Sequence, residues 1–330
     1  MVCPERSQVP QPRRELPSWP NRPDKSDLSI PRARAWAQEY LASSPSQPLL
    51  DLSQGVPRDP PHPSFTQSLS DISLNPDASR YGPIIGENNL RKAYADEMNL
   101  LYRLPQSSLL SDQDVGITAG CNMAFLTVLM ALCPPGESSV LLPLPAYFNF
   151  GMSLSLKSVQ PVYIPTDPDD RFTPSLDAAR QYLCSDAGKG VVKPRMILLV
   201  SPSNPTGTVF APEELKRWYD LAREFGVALV VDETYREFVE DAEGGGGMGR
   251  PHGLFEEEDW RSTVISLGSF SSGSLILHRA ARVQADSTEG YRIPGHRLGS
   301  IIASPELLNH ITTICDCMQV SPAYPIRLTS

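Results

Sequence analysis

No run of this 330-residue chain stays apolar for the roughly 18–20 residues that a membrane helix needs, so the sequence offers no spanning segment. The N-terminus, from Met1 to Pro20, has no apolar core, which argues against a secretory signal and for a cytoplasmic protein. Positive charge is short as well. The 29 basic residues face 38 acidic ones, the net charge is −9, and no basic stripe exists to follow a phosphate backbone, so nucleic-acid binding is not expected. The six cysteines follow no zinc spacing, and Cys315-Asp-Cys317 is too tight for the usual Cys-x-x-Cys pair. The five histidines form no i,i+4 pair, which weakens metal and Ser-His-Asp readings alike. Lysine is missing from the whole chain after Lys216.

What the chain does have is 40% hydrophobic residues, enough for one large core with or without a smaller domain beside it. Thirteen of its 33 prolines lie in the first 63 residues, a density that predicts an extended arm, disordered to about Pro31, without long helices or strands. After Tyr81 the texture changes. Leu90, Tyr94, Met98 and Leu101 repeat at helical spacing, as do Leu215, Trp218, Ala222 and Phe225 behind Pro212. Between them lie short apolar runs: Val140 to Leu142, Met196 to Val200, Val227 to Val231, Val264-Ile265 and Ile301-Ile302. Runs this brief and unalternating predict strands covered on both faces, hence an α/β class with a mainly parallel sheet between helices. Ligands of such sheets sit beyond the carboxyl ends of the strands.

The polar residues after each run are therefore the candidates. Gly120, Cys121 and Asn122 open a long apolar helix, where small residues leave backbone N–H groups for capping or for a phosphate. Ser201-Pro-Ser-Asn204-Pro205-Thr-Gly207 follows a strand, with Pro205 holding Asn204 extended and Gly207 permitting a sharp return. Asp232 ends the next run, with Tyr235 three residues on; a carboxylate there is either a helix cap or a buried charge in need of a partner. Ser269-Phe-Ser271 follows another strand, and Arg297 comes later, before Leu298-Gly299.

Together, in this order and spacing, these motifs resemble the class I/II, fold-type I pyridoxal-phosphate (PLP) aminotransferases of the aspartate aminotransferase superfamily, from about Leu49 onward. The resemblance implies PLP as cofactor, an amino acid and a 2-oxo acid as substrates, and a homodimer. It implies that Gly120, Cys121 and Asn122 bind the cofactor phosphate, with Ser269, Ser271 and Arg297 around it. Tyr147 would stack on the ring, Asn204 and Tyr235 would bond its 3-oxygen, and Asp232 would pair with its nitrogen. Tyr81 would reach the phosphate of the partner subunit, and Gly55 would touch the substrate carboxylate. The domains it implies are an arm at 1–31, the first part of a small domain with linker at 32–74, a PLP-binding large domain at 75–305, and the start of a truncated small domain at 306–330.

One residue departs from the pattern. The family's anchoring lysine directly follows Ser-Phe-Ser, which is Ser272 here, and lies eight residues before the phosphate arginine, which is Glu289 here. Neither is lysine, so no Schiff-base residue can be assigned, and residues 273–288 have no partner in the family pattern. Codon degeneracy allows those extra residues to be a translated intron whose removal creates a lysine codon after Ser271; a real insertion in a degenerate paralogue is the other reading. Three functions follow from the resemblance: a transaminase encoded by the gene, a catalytically dead PLP-binding chain, and a PLP-dependent lyase or aminocyclopropane-carboxylate synthase.

Overall fold

The structure is a computed structural model that describes residues 29–50, 61, 63–185, 192–239, 249–271 and 294–322. The chain divides into two units, Met1–Ser53 and Gln54–Ser330. In the first, helix α1 (Ser29–Ala42) carries Arg32 over the ring of Trp36 at 4.8 Å, and Tyr40 closes the segment by donating to the carbonyl of Gln47. This corrects the expectation that the first 63 residues hold no long helix; residues 1–28 of the expected arm lie outside the described residues. Pro31 falls in the first turn of α1, where its missing N–H has no intrahelical partner to lose, and the next proline is Pro45, beyond the helix end.

In the second unit the strands are β1 (Val115–Thr118), β2 (Ser139–Pro143), β3 (Gln160–Ile164), β4 (Thr166–Asp167), β5 (Thr173–Pro174), β6 (Pro194–Val200), β7 (Ala228–Asp232), β8 (Val264–Ser269) and β9 (Gly299–Ile302). Among the described residues, seven form one sheet in the order β1-β9-β8-β7-β6-β2-β3, and β4 pairs with β5 apart from it. β2, β3, β6, β7 and β8 pair in parallel, whereas β9 runs antiparallel to both neighbours, β1 and β8. The helices are α2 (Pro63–Ser73), α3 (Asn88–Leu101), α4 (Cys121–Leu132), α5 (Phe148–Leu156), α6 (Leu176–Leu183), α7 (Pro212–Phe225), α8 (Trp260–Thr263) and α9 (Pro305–Met318).

The alternation of side chains along each strand divides the apolar core into two layers. Ile197, Leu199, Leu229 and Val231 face one layer together with Tyr94 and Met98 of α3 and Trp218 of α7. Met196, Leu198 and Val230 face the other, with Phe125 and Val128 of α4, Phe150 of α5 and Ile311 of α9. α7 follows its sequence signals closely. Pro212 sits at the first turn, Glu213 and Glu214 complement the positive end, Arg223 the negative end, and Gly226 ends the helix at φ 61°. With both faces covered, the sheet can be reached only along its edges and strand ends, and at the carboxyl edge β1, β2, β6, β7 and β8 all release their chain into loops.

Candidate active site

β7 ends on Asp232, which is 6% exposed. Its Oδ1 accepts the Thr234 backbone N–H at 2.9 Å and the Thr234 hydroxyl at 2.7 Å. Cys121 Sγ lies 3.9 Å from the same oxygen, and the Thr234 hydroxyl also reaches the sulfur at 3.5 Å. Burial pushes the Asp232 carboxyl above its ordinary pKa, and the bonds from Thr234 work against that rise. A buried carboxylate in this state favours a cationic ligand. Burial and the nearby Asp232 also push the thiol of Cys121 well up, so it stays protonated.

Tyr235 continues the same turn and is half-buried. Burial raises its phenol pKa first, Asp232 and Tyr147 raise it further, and a hydrogen bond with the side chain of Asn204 lowers it. Asn204 arrives there from β6 through a turn in which Gly207, at φ 75°, donates to the carbonyl of Ser203 at 2.8 Å. The Asn204–Pro205 peptide is cis. Tyr147 precedes α5, and its ring meets Phe148 and Phe150 edge-on. Asn204 also lines a cleft with Leu142, Leu198, Phe172 and Phe210.

The other half of the site is built by β1, β9 and α4. Gly120, at φ 92°, precedes α4, and a Cβ there would overlap the Arg297 guanidinium. Gly299 packs so closely that a Cβ on it would overlap the Gly120–Cys121 backbone. The register sets Gly299 opposite both Thr118 of β1 and Ser269 of β8, and the Ser269 hydroxyl accepts the Ser271 N–H at 3.1 Å. A guanidinium is thus held at the positive end of a helix, a combination of groups that suits an anion.

The structure therefore gathers Gly120, Cys121, Asn204, Asp232, Tyr235 and Tyr147 on one edge, with Arg297 beside Gly120, Ser269 opposite Gly299, and Ser271 bonded to Ser269. Asn122, the second residue of α4, is exposed. Tyr81 is 86% exposed in a loop and is not brought to this group. Gly55, Ser272 and Glu289 lie outside the described residues. Sequence reasoning missed Thr234, whose only signal was a hydroxyl two residues after Asp232. It also missed Gln319 beyond α9, which accepts the Ala119 N–H at 2.9 Å and donates to the carbonyls of Ile84 and Ile117, stapling the turn that enters Gly120. Among the described residues no cluster of His, Cys, Asp and Glu could hold a metal, and no helix is long and apolar enough to cross a membrane.

A mostly parallel sheet with one reversed strand, and a ligand edge made of β1, α4, β7 and β8, defines an α/β protein of the fold-type I transferase kind. A structure from Rhizobium meliloti, an aspartate aminotransferase, shares this fold at a TM-score of 0.72 and 18% identity, over 90% of this chain and 65% of that one. The sequence pattern described as Aminotransferase class I and II matches residues 47–273, and the chain belongs to that family. It is 30% identical over 192 residues to Aromatic aminotransferase ISS1 of Arabidopsis thaliana, covering 58% of this chain and 46% of the relative. It is 28% identical over 232 residues to an Aspartate aminotransferase of Pyrococcus abyssi, covering 67% and 56%. The chain thus spans about half the length of these curated relatives.

Proposed function

We propose that this chain carries the cofactor site of a PLP-dependent amino-acid aminotransferase, and that the polypeptide as written holds PLP without a covalent anchor and does not transaminate. An amino acid and a 2-oxo acid are the substrates of the complete reaction, the working unit is a homodimer, and the setting is cytoplasmic. The observation that carries this reading is a cation-seeking carboxylate and an anion-seeking cradle on one edge, in a chain without lysine after Lys216.

The residues fit the cofactor's chemistry. Gly120, the first N–H groups of α4 and the Arg297 guanidinium would hold the phosphate, with Ser269 and Ser271 adding hydroxyls. Asp232 would take the ring nitrogen and keep its proton in place, since a cation there relieves the cost of the buried charge. Asn204 and Tyr235, already hydrogen-bonded to each other, would donate to the 3-oxygen, and Tyr147 would cover a ring face. When bound, the cofactor supplies an electron sink for the carbanion left by loss of an amino acid's α-proton. The sequence provides no amine after Lys216 to anchor it or to carry that proton. Tyr81, exposed on a loop, would serve the partner subunit's phosphate, and Gly55 would meet the substrate carboxylate.

A second reading concerns the gene. The family match stops at residue 273, yet Arg297 and Gly299 reach Gly120 beyond it, which supports reading the surplus length as an insert between Ser271 and Arg297. This favours an inserted segment over general decay of the site, and sequencing the transcript across codons 265–300 decides it: a message lacking the segment and encoding lysine after Ser271 supports a translated intron. For the protein itself, equilibrium titration with PLP, with and without borohydride, is the test. Saturable binding with no reducible adduct between residues 265 and 300, and no amino-group transfer, is expected. Failure to bind PLP, or a reducible adduct in that stretch, overturns the reading.

A further inference from the structure

The turn that carries Asp232 and Tyr235 has a second face. The irregular turn that follows β7 folds the side chains of Glu233 and Arg236 beneath β8, where both are almost fully buried at 1% and 3% exposure. Glu233 accepts the Tyr102 hydroxyl at 2.6 Å and the Ser266 hydroxyl, and lies 3.3 Å from His252 Nε2 and 3.8 Å from Arg236. His252 Nδ1 accepts the Leu254 N–H, so in the neutral ring the proton sits on Nε2, toward Glu233. Arg236 donates to the hydroxyls of Tyr102 at 3.2 Å and Tyr94 at 3.0 Å, and Ser300 of β9 donates to Tyr94 at 2.6 Å. A Cβ at Gly268 would overlap Arg236, Ser300 and Tyr94, so only glycine leaves β8 room for the guanidinium. Burial pushes the Glu233 carboxyl up, but His252, Arg236 and the hydroxyl donors outweigh it and hold the group at about 2, fully charged.

The network is buried from solvent, and Arg236 and Glu233 act on Asp232 as nearby charges of opposite sign. It ties three elements, α3, β8 and β9, to the turn after β7, the segment that also carries Asp232 and Tyr235. The backbone of that segment is fixed on both flanks as well: Ser201 N–H donates to the Asp232 carbonyl, and Glu233 N–H donates to the Leu267 carbonyl. We propose that Glu233 and Arg236 are positioning residues for the cofactor ring, setting where Asp232 and Tyr235 stand through the buried bonds to Tyr94, Tyr102 and Ser300. The proposal rests on the PLP reading above. It bears directly on the ring half of the site, and reaches the phosphate half at Gly120 and Arg297 only through Ser300, the neighbour of Gly299 on β9.

That difference gives the test. PLP and inorganic phosphate are titrated separately into the full chain, wild type and Arg236→Met, with phosphorus NMR line widths reading phosphate. Arg236→Met is expected to weaken PLP binding about tenfold, as loss of outer-shell support does elsewhere, and to weaken inorganic phosphate binding far less. Arg236→Lys, which keeps the charge, restores part of the loss, and in an Asp232→Asn, Tyr235→Phe background Arg236→Met adds little. Should Arg236→Met fail to fold, Tyr94→Phe, which removes only one hydroxyl of the network, is read the same way with a smaller shift. Unchanged PLP affinity overturns the proposal, and so does a parallel loss of PLP and phosphate, which means general loosening. A wild-type chain that binds no PLP at all overturns the functional reading, and this inference with it.

Discussion

Asp232 keeps a carboxylate where water scarcely reaches, held by Thr234 through one oxygen only. Burial raises its folded pKa above the unfolded value, so stability is lost as the pH rises from the unfolded pKa through the folded one, and the full cost remains above it. At neutral pH the cofactor-free chain should therefore be more stable as Asp232→Asn, because an amide loses the charge and can still accept from Thr234. Affinity for PLP should move the other way, falling about 10- to 100-fold, the worth of one hydrogen bond between charged groups. Urea melts of the apo chain, read beside PLP titrations, check both signs. A variant that is less stable and binds as well would remove Asp232 from the site.

At the scale of elements, Gly299 decides how near β9 comes to α4. A methyl group there meets backbone, the Gly120–Cys121 peptide, and backbone has no rotamer with which to yield. Gly299→Ala is expected to lower stability by about 1–3 kcal/mol, as overpacking does, and to weaken inorganic phosphate binding by tilting the first N–H groups of α4. Thermal melts and phosphate titrations measure the two effects, and a variant unchanged in both contradicts the close approach. The elements themselves differed in how readable they were. Met196 to Val200 and Val227 to Val231 were plain as strands because burial on both faces leaves no polar residue in the run. β1, Val-Gly-Ile-Thr, is too short to register, and β3 at the sheet edge carries Pro161 with half-exposed neighbours. Site residues that follow a strand directly, such as Asp232 and Ser269, could be found by counting from the apolar runs. Glu233, Arg236 and Gln319 could not, since what defines them is a partner on a distant element.

At the scale of the whole chain, the proposed reading is a site without lysine after Ser271 and an insert at residues 273–288. Removing residues 272–288 together with Glu289→Lys puts a lysine directly after Ser271 and eight residues before Arg297. The expected outcome is that PLP becomes fixable by borohydride at that lysine, found by peptide mass spectrometry, with affinity above that of the parent chain. A folded variant that still binds no PLP would mean the pocket fails for reasons other than the missing amine.

The reversed strand has a consequence for the order in which this molecule can be assembled. Among the described residues β1 touches the sheet only through β9, and Val115 waits for Ile302, more than half the chain away, to complete its ladder. Closing so long a loop comes late in folding, and during synthesis it cannot occur before β9 has left the ribosome. β2, β6 and β7 can pair earlier, but the cradle between Gly120 and Arg297 does not exist until that last strand is threaded between β1 and β8. A ligand that needs the cradle would then meet no partial binding site on the way, and its capture would mark a chain whose sheet is already closed.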